Sequence, residues 1–304
     1  MKRQLLGVAA ILLSISTYAQ DNPLWMRYCA ISPDGTTIAF TYKGDIYTVP
    51  STGGRASQIT TNPAHDTKPI WSPDGKKIAF ASDRMGSMDI FEVNKEGGIP
   101  KRLTTHSGNE TPVAYKDAGH ILFLANIMPT AEDAQFPSGQ FQQVYEVNTE
   151  GGRPILFSSM PMEDISINHT GNTLLYHDKK GYEDPWRKHH TSSITRDIWL
   201  CSLNGNRTFR KQTAFNGEDR TPVWASDDKS FYYLSEEKGS FNIFKRDIDG
   251  NTSKQITNHT KHPVRFLSAA SNGTLCYGYD GEIYTVKELS LIHISEPTRH
   301  LRIS

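Results

Sequence analysis

The sequence predicts an all-β fold, a six-bladed β-propeller of four-stranded antiparallel blades with an incomplete last blade. Three observations predict it. A unit of about forty residues recurs six times, each copy holds short strands bounded by turn residues, and no helical segment separates the strands. A repeat of this length made of hairpins is typical of propellers. A β-helix would have shorter repeats, and two sandwiches would not repeat six times.

The second and fifth copies define the unit. They align without a gap from Trp71 on Trp224 to Gly97 on Gly250. In the second copy, residues 72–75 (SPDG) predict a tight turn, because proline presets φ and glycine supplies a positive φ. The four predicted strands are residues 69–72, 78–80, 89–93 and 101–104, of which the second and third alternate between inward and outward side chains. The predicted blades are residues 28–60, 66–104, 110–158, 163–213, 219–257 and 262–288, the last without its fourth strand.

Residues 1–19 have the pattern of a secretory signal peptide. Lys2 and Arg3 precede an apolar stretch at 5–15, and small residues precede the expected cut after Ala19. The alternative is a buried N-terminal helix. The apolar stretch is too short to span a membrane, and no other long apolar segment follows. We therefore expect a periplasmic or secreted protein without a membrane span.

The last sixteen residues, 289–304 (LSLIHISEPTRHLRIS), lack the repeat pattern. Residues 289–299 match, codon for codon, the translation of a transposase adapter used in sequencing libraries. We interpret 289–304 as a non-native artefact tail, so the chain is expected to be a truncated gene product. The alternative is a genuine C-terminal tail. Without its outer strand, the last blade is expected to expose an open edge.

The charge and cysteine content argue against two classes of protein, although the charge leaves room for a small local basic patch. Residues 20–288 carry 29 Lys and Arg against 32 Asp and Glu, which argues against a broad nucleic-acid surface. Three cysteines, Cys29, Cys201 and Cys276, are too few for an exported disulfide scaffold. Buried free thiols are the favoured interpretation, and a Cys29–Cys276 pair is the alternative.

Two resemblances follow from the motifs. Residues 66–75 (DTKPIWSPDG) resemble the D-x-x-P-x-W-S-P-D-G mark of the WD-like repeats in TolB-type propellers, from which residues 219–228 (DRTPVWASDD) depart after the tryptophan. Over 20–288, the stretches NPLWMRYCAISPDGTTIAFTYKGDIY, KKGYEDPWRKHHTSSITRDIW and SEEKGSFNIF resemble the N-terminal propeller of exported tricorn-type serine peptidases. That resemblance implies that further domains follow, including a peptidase domain with the nucleophilic serine.

The resemblance implies a non-catalytic propeller that gates or orients peptides for a missing C-terminal peptidase domain. No G-x-S-x-G elbow or phosphate-binding loop is present, so we assign no catalytic residue and no cofactor. The expected partners are peptides or a protein at the propeller face, and the missing domains of the same chain. The alternative is a stand-alone TolB-like periplasmic propeller that binds a partner protein.

Charged residues concentrate where the chain enters the first strand of each blade. These loops share one face with those between the second and third strands, so we expect a mostly acidic channel mouth that attracts peptide amino termini or screens ligands by charge. The candidates are Asp66, Glu110, Glu163, Asp164, Asp219 and Arg220. The alternative is structural, because such side chains also close turns by accepting backbone N–H groups.

Two insertions on that same face, residues 126–143 and 179–196, interrupt blades 3 and 4. Their large side chains Phe136, Tyr182 and Trp186 are contact candidates, and packing on a further domain or on the blade is favoured over ligand binding.

The densest set of candidate metal ligands lies around the second insertion. It comprises His177, Asp178, Glu183, Asp184, His189 and His190. Adjacent histidines point in opposite directions in an extended chain, and no H-E-x-x-H is present, so we predict no metal site. A channel-centred hydrolase or lyase that uses this region is the third hypothesis.

Overall fold

The computed structural model describes residues 25–127, 141–181 and 194–287, and the backbone of 298–300. Within these ranges the fold is all-β and six-bladed, as predicted, with five sheets of four strands and a last sheet with three strands of the repeat. In the described part of the chain, no helix is long and apolar enough to cross a membrane. The predicted signal peptide lies outside these residues.

Each blade is one sheet whose strands follow chain order from the channel outward. The strands of blades 1 to 3 are β1 (Arg27–Ile31), β2 (Thr37–Tyr42), β3 (Asp45–Pro50), β4 (Ser57–Gln58), β5 (Asp66–Trp71), β6 (Lys77–Ser82), β7 (Asp89–Asn94), β8 (Lys101–Arg102), β9 (Thr111–Asp117), β10 (His120–Ala125), β11 (Gln143–Asn148) and β12 (Ile155–Ser158). Those of blades 4 to 6 are β13 (Met162–Ile167), β14 (Thr173–Asp178), β15 (Ile198–Ser202), β16 (Thr208–Lys211), β17 (Asp219–Trp224), β18 (Ser230–Ser235), β19 (Asn242–Asp247), β20 (Ser253–Gln255), β21 (Arg265–Ala269), β22 (Thr274–Tyr279) and β23 (Glu282–Lys287).

The last blade lacks the fourth strand of the repeat, as predicted, and its outer edge pairs with three residues from outside the repeat. A short strand from the terminal segment, β24 (Thr298–His300), pairs antiparallel with β23 along Ile283–Thr285. An unpaired strand edge presents free N–H and C=O groups, which can form backbone hydrogen bonds with another segment of chain. The sheet of blade 6 therefore contains three strands of the repeat and, at its outer edge, three paired residues that lie outside the repeat.

The hydrophobic core is divided into six layers, each between two neighbouring blades. Ala79 and Ile90 of blade 2, for example, pack with Ile121 and Phe123 of blade 3. The five other clusters of buried residues each join one further pair of neighbours, including blade 6 with blade 1. The second strand of a blade is therefore buried on both faces, which explains why it is a continuous apolar run rather than an alternating one.

The ring closes without any exchange of strands. The inner strands β1, β5, β9, β13, β17 and β21 contact one another in this order, and β21 contacts β1. At that last junction Ile31 N donates to Ser268 Oγ at 3.0 Å, and Ser271 N donates to the Pro33 carbonyl at 2.9 Å. We call the contact between blades 1 and 6 the seam, because hydrogen bonds and apolar packing, and no shared strand, hold its described residues together.

A threonine at the end of the fourth strand fixes the start of the third strand in four blades. Its Oγ1 accepts the backbone N–H of an isoleucine at 2.9–3.0 Å. The four pairs are Thr60 with Ile46, Thr104 with Ile90, Thr213 with Ile198, and Thr257 with Ile243. This bond satisfies a buried N–H where the outer strand ends.

Tryptophans at the ends of two inner strands join neighbouring blades. The indole N–H of Trp71 donates to the Ala30 carbonyl of blade 1 at 2.9 Å, and that of Trp224 donates to the Ser166 carbonyl of blade 4 at 3.0 Å. Both indoles are buried, 8% and 6% exposed. A buried carbonyl without such a donor loses free energy, so these bonds fix the distance between inner strands.

Replacing Trp71 by phenylalanine should therefore destabilise the ring. Trp71→Phe leaves the Ala30 carbonyl without this donor and opens a small cavity, so we expect a loss of about 2 kcal/mol in the free energy of unfolding. Trp25, 68% exposed, supplies the matched control, since Trp25→Phe should change it little. Urea unfolding of both variants measures the difference. Equal losses would contradict the role of the indole bond.

Candidate functional site

The inner strands bulge at one repeated position. In five blades the pairing with the second strand shifts there, and a non-glycine residue has a φ between 49° and 57°. These bulge residues are Tyr28, Lys68, Asp164, Thr221 and Phe266. Pro112 occupies the place in blade 3, and its ring excludes a positive φ. A positive φ strains the backbone of a non-glycine residue, and such strain concentrates at functional sites.

The bulge residues line a central cavity of about 1190 Å³. Its described wall carries six basic side chains and three acidic ones. They are Lys68, Lys116, Lys179, Arg196, Arg220 and Arg265, and Asp117, Glu163 and Asp164. The wall thus has more basic than acidic groups, which differs from the mostly acidic mouth that the sequence suggests.

The six channel-mouth candidates divide into two groups. Glu163, Asp164 and Arg220 line the cavity. Asp66, Glu110 and Asp219 do not, and they are at most 1% exposed.

The position of the three buried acids explains their burial. The backbone N–H of each acid donates to a carbonyl of the preceding blade, just before the third strand of that blade begins. Asp66 N, for example, donates to the Gly44 carbonyl. In the other three blades the corresponding residues are Met26, Met162 and Val264, which are also buried. Since this position is buried whether it holds an acid, a methionine or a valine, its side chain serves the packing between blades.

Asp66 is buried as an ion pair. Arg84 Nη2 donates to its two carboxylate oxygens at 3.0 and 2.9 Å, and the guanidinium stacks on the Phe91 ring at 4.5 Å. The pairing removes the cost of an isolated buried charge. Asp66 therefore supports the fold of blade 2.

Glu110 and Asp219 are buried without such an ion pair in the described structure. Burial raises the pKa of each carboxyl to about 7. Hydrogen bonds act in the opposite direction, from Thr104 on Glu110 and from Ser235 and Thr213 on Asp219. Desolvation disfavours the charged form of a carboxyl group. Both groups therefore hold a proton in the folded protein well above the pH at which an exposed carboxyl loses it.

Glu163 is the centre of a charged network on the channel wall. Its carboxylate lies 3.3 Å from His177 Nε2 and 2.9 Å from Lys179 Nζ, and Arg196 Nε approaches to 3.6 Å. Burial alone would raise the pKa of Glu163, but the hydrogen bonds from His177 and Lys179 and the positive charge of Lys179 outweigh it and hold the pKa well below its usual range. Glu163 is thus ionised, and its carboxylate is already hydrogen-bonded to His177 and Lys179.

His177 connects blades 4 and 5. The backbone N–H of Thr221 donates to its Nδ1 at 3.2 Å, which leaves Nε2 to donate to Glu163. Asp164 Oδ2 accepts from Thr221 Oγ1 at 2.7 Å and lies 3.7 Å from the same Nδ1. The two carboxylates therefore approach opposite ring nitrogens and do not converge on one point that a metal ion would occupy.

Among the described residues, no cluster of histidine, cysteine and carboxylate groups has the arrangement of a metal site. Glu183, Asp184, His189 and His190 lie outside those residues, so the prediction about this region stays a prediction. Phe136, Tyr182 and Trp186 also lie outside them, and their role as contact residues stays a prediction too.

Two arginines share one buried acid deeper in the wall. Glu218 Oε1 accepts from Arg196 Nη1 at 3.0 Å and lies 3.5 Å from Arg220 Nη1. The Arg220 guanidinium also stacks on Phe241 at 4.0 Å, and burial lowers its pKa to about 10 despite Glu218. Since Arg196 also approaches Glu163, the two guanidinium groups connect Glu218 with the charged network of the channel wall.

Lys68 is the channel residue that the sequence argument missed. Burial lowers the pKa of its amine, while Asp164 and Glu163 act in the opposite direction, and Nζ lies 5.7 Å from the centre of the Tyr28 ring. The signal for it was present, because Lys68 has the same place in the repeat as Asp164 and Thr221. Acidic residues alone do not identify this position, because a lysine occupies it in blade 2.

The comparisons with known proteins agree with this architecture. The family model for the tricorn protease N-terminal β-propeller domain matches residues 23–290. Tricorn protease homolog 1 of Streptomyces coelicolor is 25% identical over 269 residues, which are 88% of this chain and 24% of that protein. The chain thus spans about a quarter of the length of this relative.

Two solved structures share the fold. The crystal structure of the tricorn protease superposes with a TM-score of 0.73 at 20% identity, over 91% of this chain and 26% of the other. TolB from Acinetobacter baumannii superposes with a TM-score of 0.62 at 15% identity, over 86% of this chain and 60% of the other. At these identities the likeness concerns the fold alone.

The buried acid at Asp219 should make stability depend on pH. Unfolded, this carboxyl ionises near 3.8, and folded near 7, so between these values the folded state binds the extra proton and stability falls as the pH rises. Asp219→Asn lacks that proton. Its stability relative to the wild type should therefore increase by about 3 kcal/mol between pH 4 and 7.5.

Asp74→Asn is the control of opposite sign, because a hydrogen bond from Ser72 lowers the pKa of Asp74. Its stability relative to the wild type should fall as the pH rises through the acid range. Urea unfolding at several pH values measures both variants. Parallel pH profiles for Asp219→Asn and the wild type would contradict the assignment.

Proposed function

Because the chain belongs to the family of tricorn protease N-terminal β-propeller domains, we propose that it is the propeller part of a longer serine peptidase, in which its channel admits and orients peptides. The peptide bond would be cleaved in a domain beyond this chain, through an acyl-enzyme on a serine. The tricorn relative is about four times longer than its match to this chain, which supports such an arrangement.

The observation that carries the proposal is the charged wall of the central cavity. A volume of about 1190 Å³ is large enough for several residues of an extended peptide. Its wall offers Lys68 and the Arg196–Arg220 pair for carboxylates, Asp164 for cations, and the rings of Tyr28 and Phe266 for apolar side chains. Peptides carry all three kinds of group.

Lys68 is the group best placed to recognise a ligand carboxylate. Among the described residues it forms no salt bridge within 4.0 Å, and Asp164 and Glu163 act on it from farther away. Burial already costs its ammonium part of its hydration, so an incoming carboxylate would replace lost solvent. Glu163, by contrast, is already bonded to His177 and Lys179.

The basic excess favours the carboxyl end of a peptide over its amino end. This reverses the charge preference that the lead-in loops suggest, because Asp66, Glu110 and Asp219 are buried between blades. The further partners that we propose are the remaining domains of the same protein, on the face with the two insertions. We also propose a location outside the cytoplasm, on the basis of residues 1–19.

A peptide-binding measurement tests the channel. Fluorescently labelled peptides with a free C-terminal carboxylate should bind the 304-residue chain at least about tenfold more tightly than their C-terminal amides. Lys68→Met should remove that preference. Lys76→Met, which changes a lysine with a 78% exposed side chain, should keep it. Fluorescence anisotropy gives the Kd values, and equal affinities for acid and amide would overturn the carboxylate role.

The longer protein is tested on the gene itself. Sequencing the source DNA through codon 288 and onward should reveal a completed sixth blade, further domains and a serine-bearing peptidase domain. A reading frame that encodes residues 289–304 and then stops would contradict the proposal. The chain would then function as a stand-alone binding propeller of the TolB kind.

A further inference from the structure

Two of the three cysteines meet at the seam. Cys29 lies on β1 of blade 1 and Cys276 on β22 of blade 6, and both belong to the buried cluster that joins these blades. Their thiols are close enough to share a hydrogen bond. The chain thus brings together two sulfur atoms that are 247 residues apart in sequence.

The surroundings hold both side chains in place. Cys29 Sγ donates to the Phe266 carbonyl of β21 at 3.3 Å, across the seam. Ser268, which accepts the Ile31 N–H from blade 1, also hydrogen-bonds Cys276. Hydrogen bonds on both sides of the junction therefore fix the two cysteines in one buried cluster.

We propose that Cys29 and Cys276 form a disulfide that locks the propeller ring at its seam when the protein folds in an oxidising environment. The two thiols lose two protons and two electrons, and a Sγ–Sγ bond forms. The electrons reduce the disulfide of an oxidant, either a thiol–disulfide oxidoreductase or a small-molecule disulfide, to two thiols through a mixed disulfide.

The seam is where a covalent bond has most effect. No strand of blade 1 lies in blade 6 or the reverse, so the described ring is held there by hydrogen bonds and apolar packing alone. A bond between Cys29 and Cys276 encloses in one loop the first five blades, from Cys29 onward, and the inner strand of the sixth. Long loops lose much chain entropy when they are closed in the unfolded state, so the folded ring gains stability.

Burial decides when the bond forms. Both thiols are buried in the closed ring, and burial raises the pKa of the Cys276 thiol well above its usual value. Thiolates are the species that react, so the closed reduced ring should oxidise slowly. The bond is therefore expected to form during folding, while the seam is open.

Cys201 supplies the internal control. It is buried between blades 3 and 4, in a different cluster from the other two cysteines. Its Sγ contacts the Ser202 carbonyl at 3.5 Å and has neither of the other cysteines in its cluster. The three cysteines thus divide into a pair and a single thiol of similar burial.

The test is to refold the 304-residue chain with oxidised glutathione and, separately, with dithiothreitol. Free thiols are then alkylated under denaturing conditions, and the digest is examined by mass spectrometry. After oxidation we expect one alkylated cysteine, Cys201, and one linked peptide pair that contains Cys29 and Cys276. After reduction all three should be alkylated.

Stability provides a second readout. The oxidised protein should unfold at a Tm about 10 °C higher than the reduced one. This difference should vanish in Cys29→Ser and in Cys276→Ser, and remain in Cys201→Ser. Three free thiols after oxidative refolding, or a linkage that includes Cys201, would overturn the proposal even if the seam variants did not fold.

Discussion

The fold depends on one constraint, which is that each blade has two apolar faces and cannot cover either of them itself. A four-stranded sheet whose second strand is buried on both sides needs a neighbour on each side, and a ring is the arrangement that supplies one to every blade. The six core layers follow directly from this, and so does the similar size of the repeats. The tryptophan and threonine bonds then fix the distances that apolar contact leaves adjustable.

The same constraint governs the charged residues. Asp66, Glu110 and Asp219 lie at the boundary between two blades, where water is excluded, so each must find a cation or keep a proton. Asp66 does the first with Arg84, and Asp219 does the second. On the channel side of the boundary, Glu163, His177 and Thr221 join blades 4 and 5 through polar contacts rather than apolar ones. Channel chemistry and ring packing are therefore coupled at this wall.

The sequence was sufficient for the fold because its local signals agree with one another. The SPDG turns, the apolar second strands and the aligned tryptophans all indicate the same repeat. It was insufficient for the site because a single bulge decides which side chains enter the channel. From the pattern D-x-x-P alone, Asp66 and Lys68 are both charged residues of a lead-in segment, yet the bulge turns Lys68 inward and leaves Asp66 between blades. The apolar residues Met26, Met162 and Val264 at the position of Asp66 were the available evidence of its burial.

The bulge has an evolutionary consequence. Its backbone is the same in five blades, whereas its side chains are aromatic, basic, acidic and hydroxylic. The frame therefore tolerates exchange at these positions, since the strained conformation is imposed by the sheet and not by the residue that adopts it. Selection can then alter which molecules the channel accepts, one blade at a time, without rebuilding the scaffold. Such a separation of framework from specificity lets a single architecture diversify among related proteins.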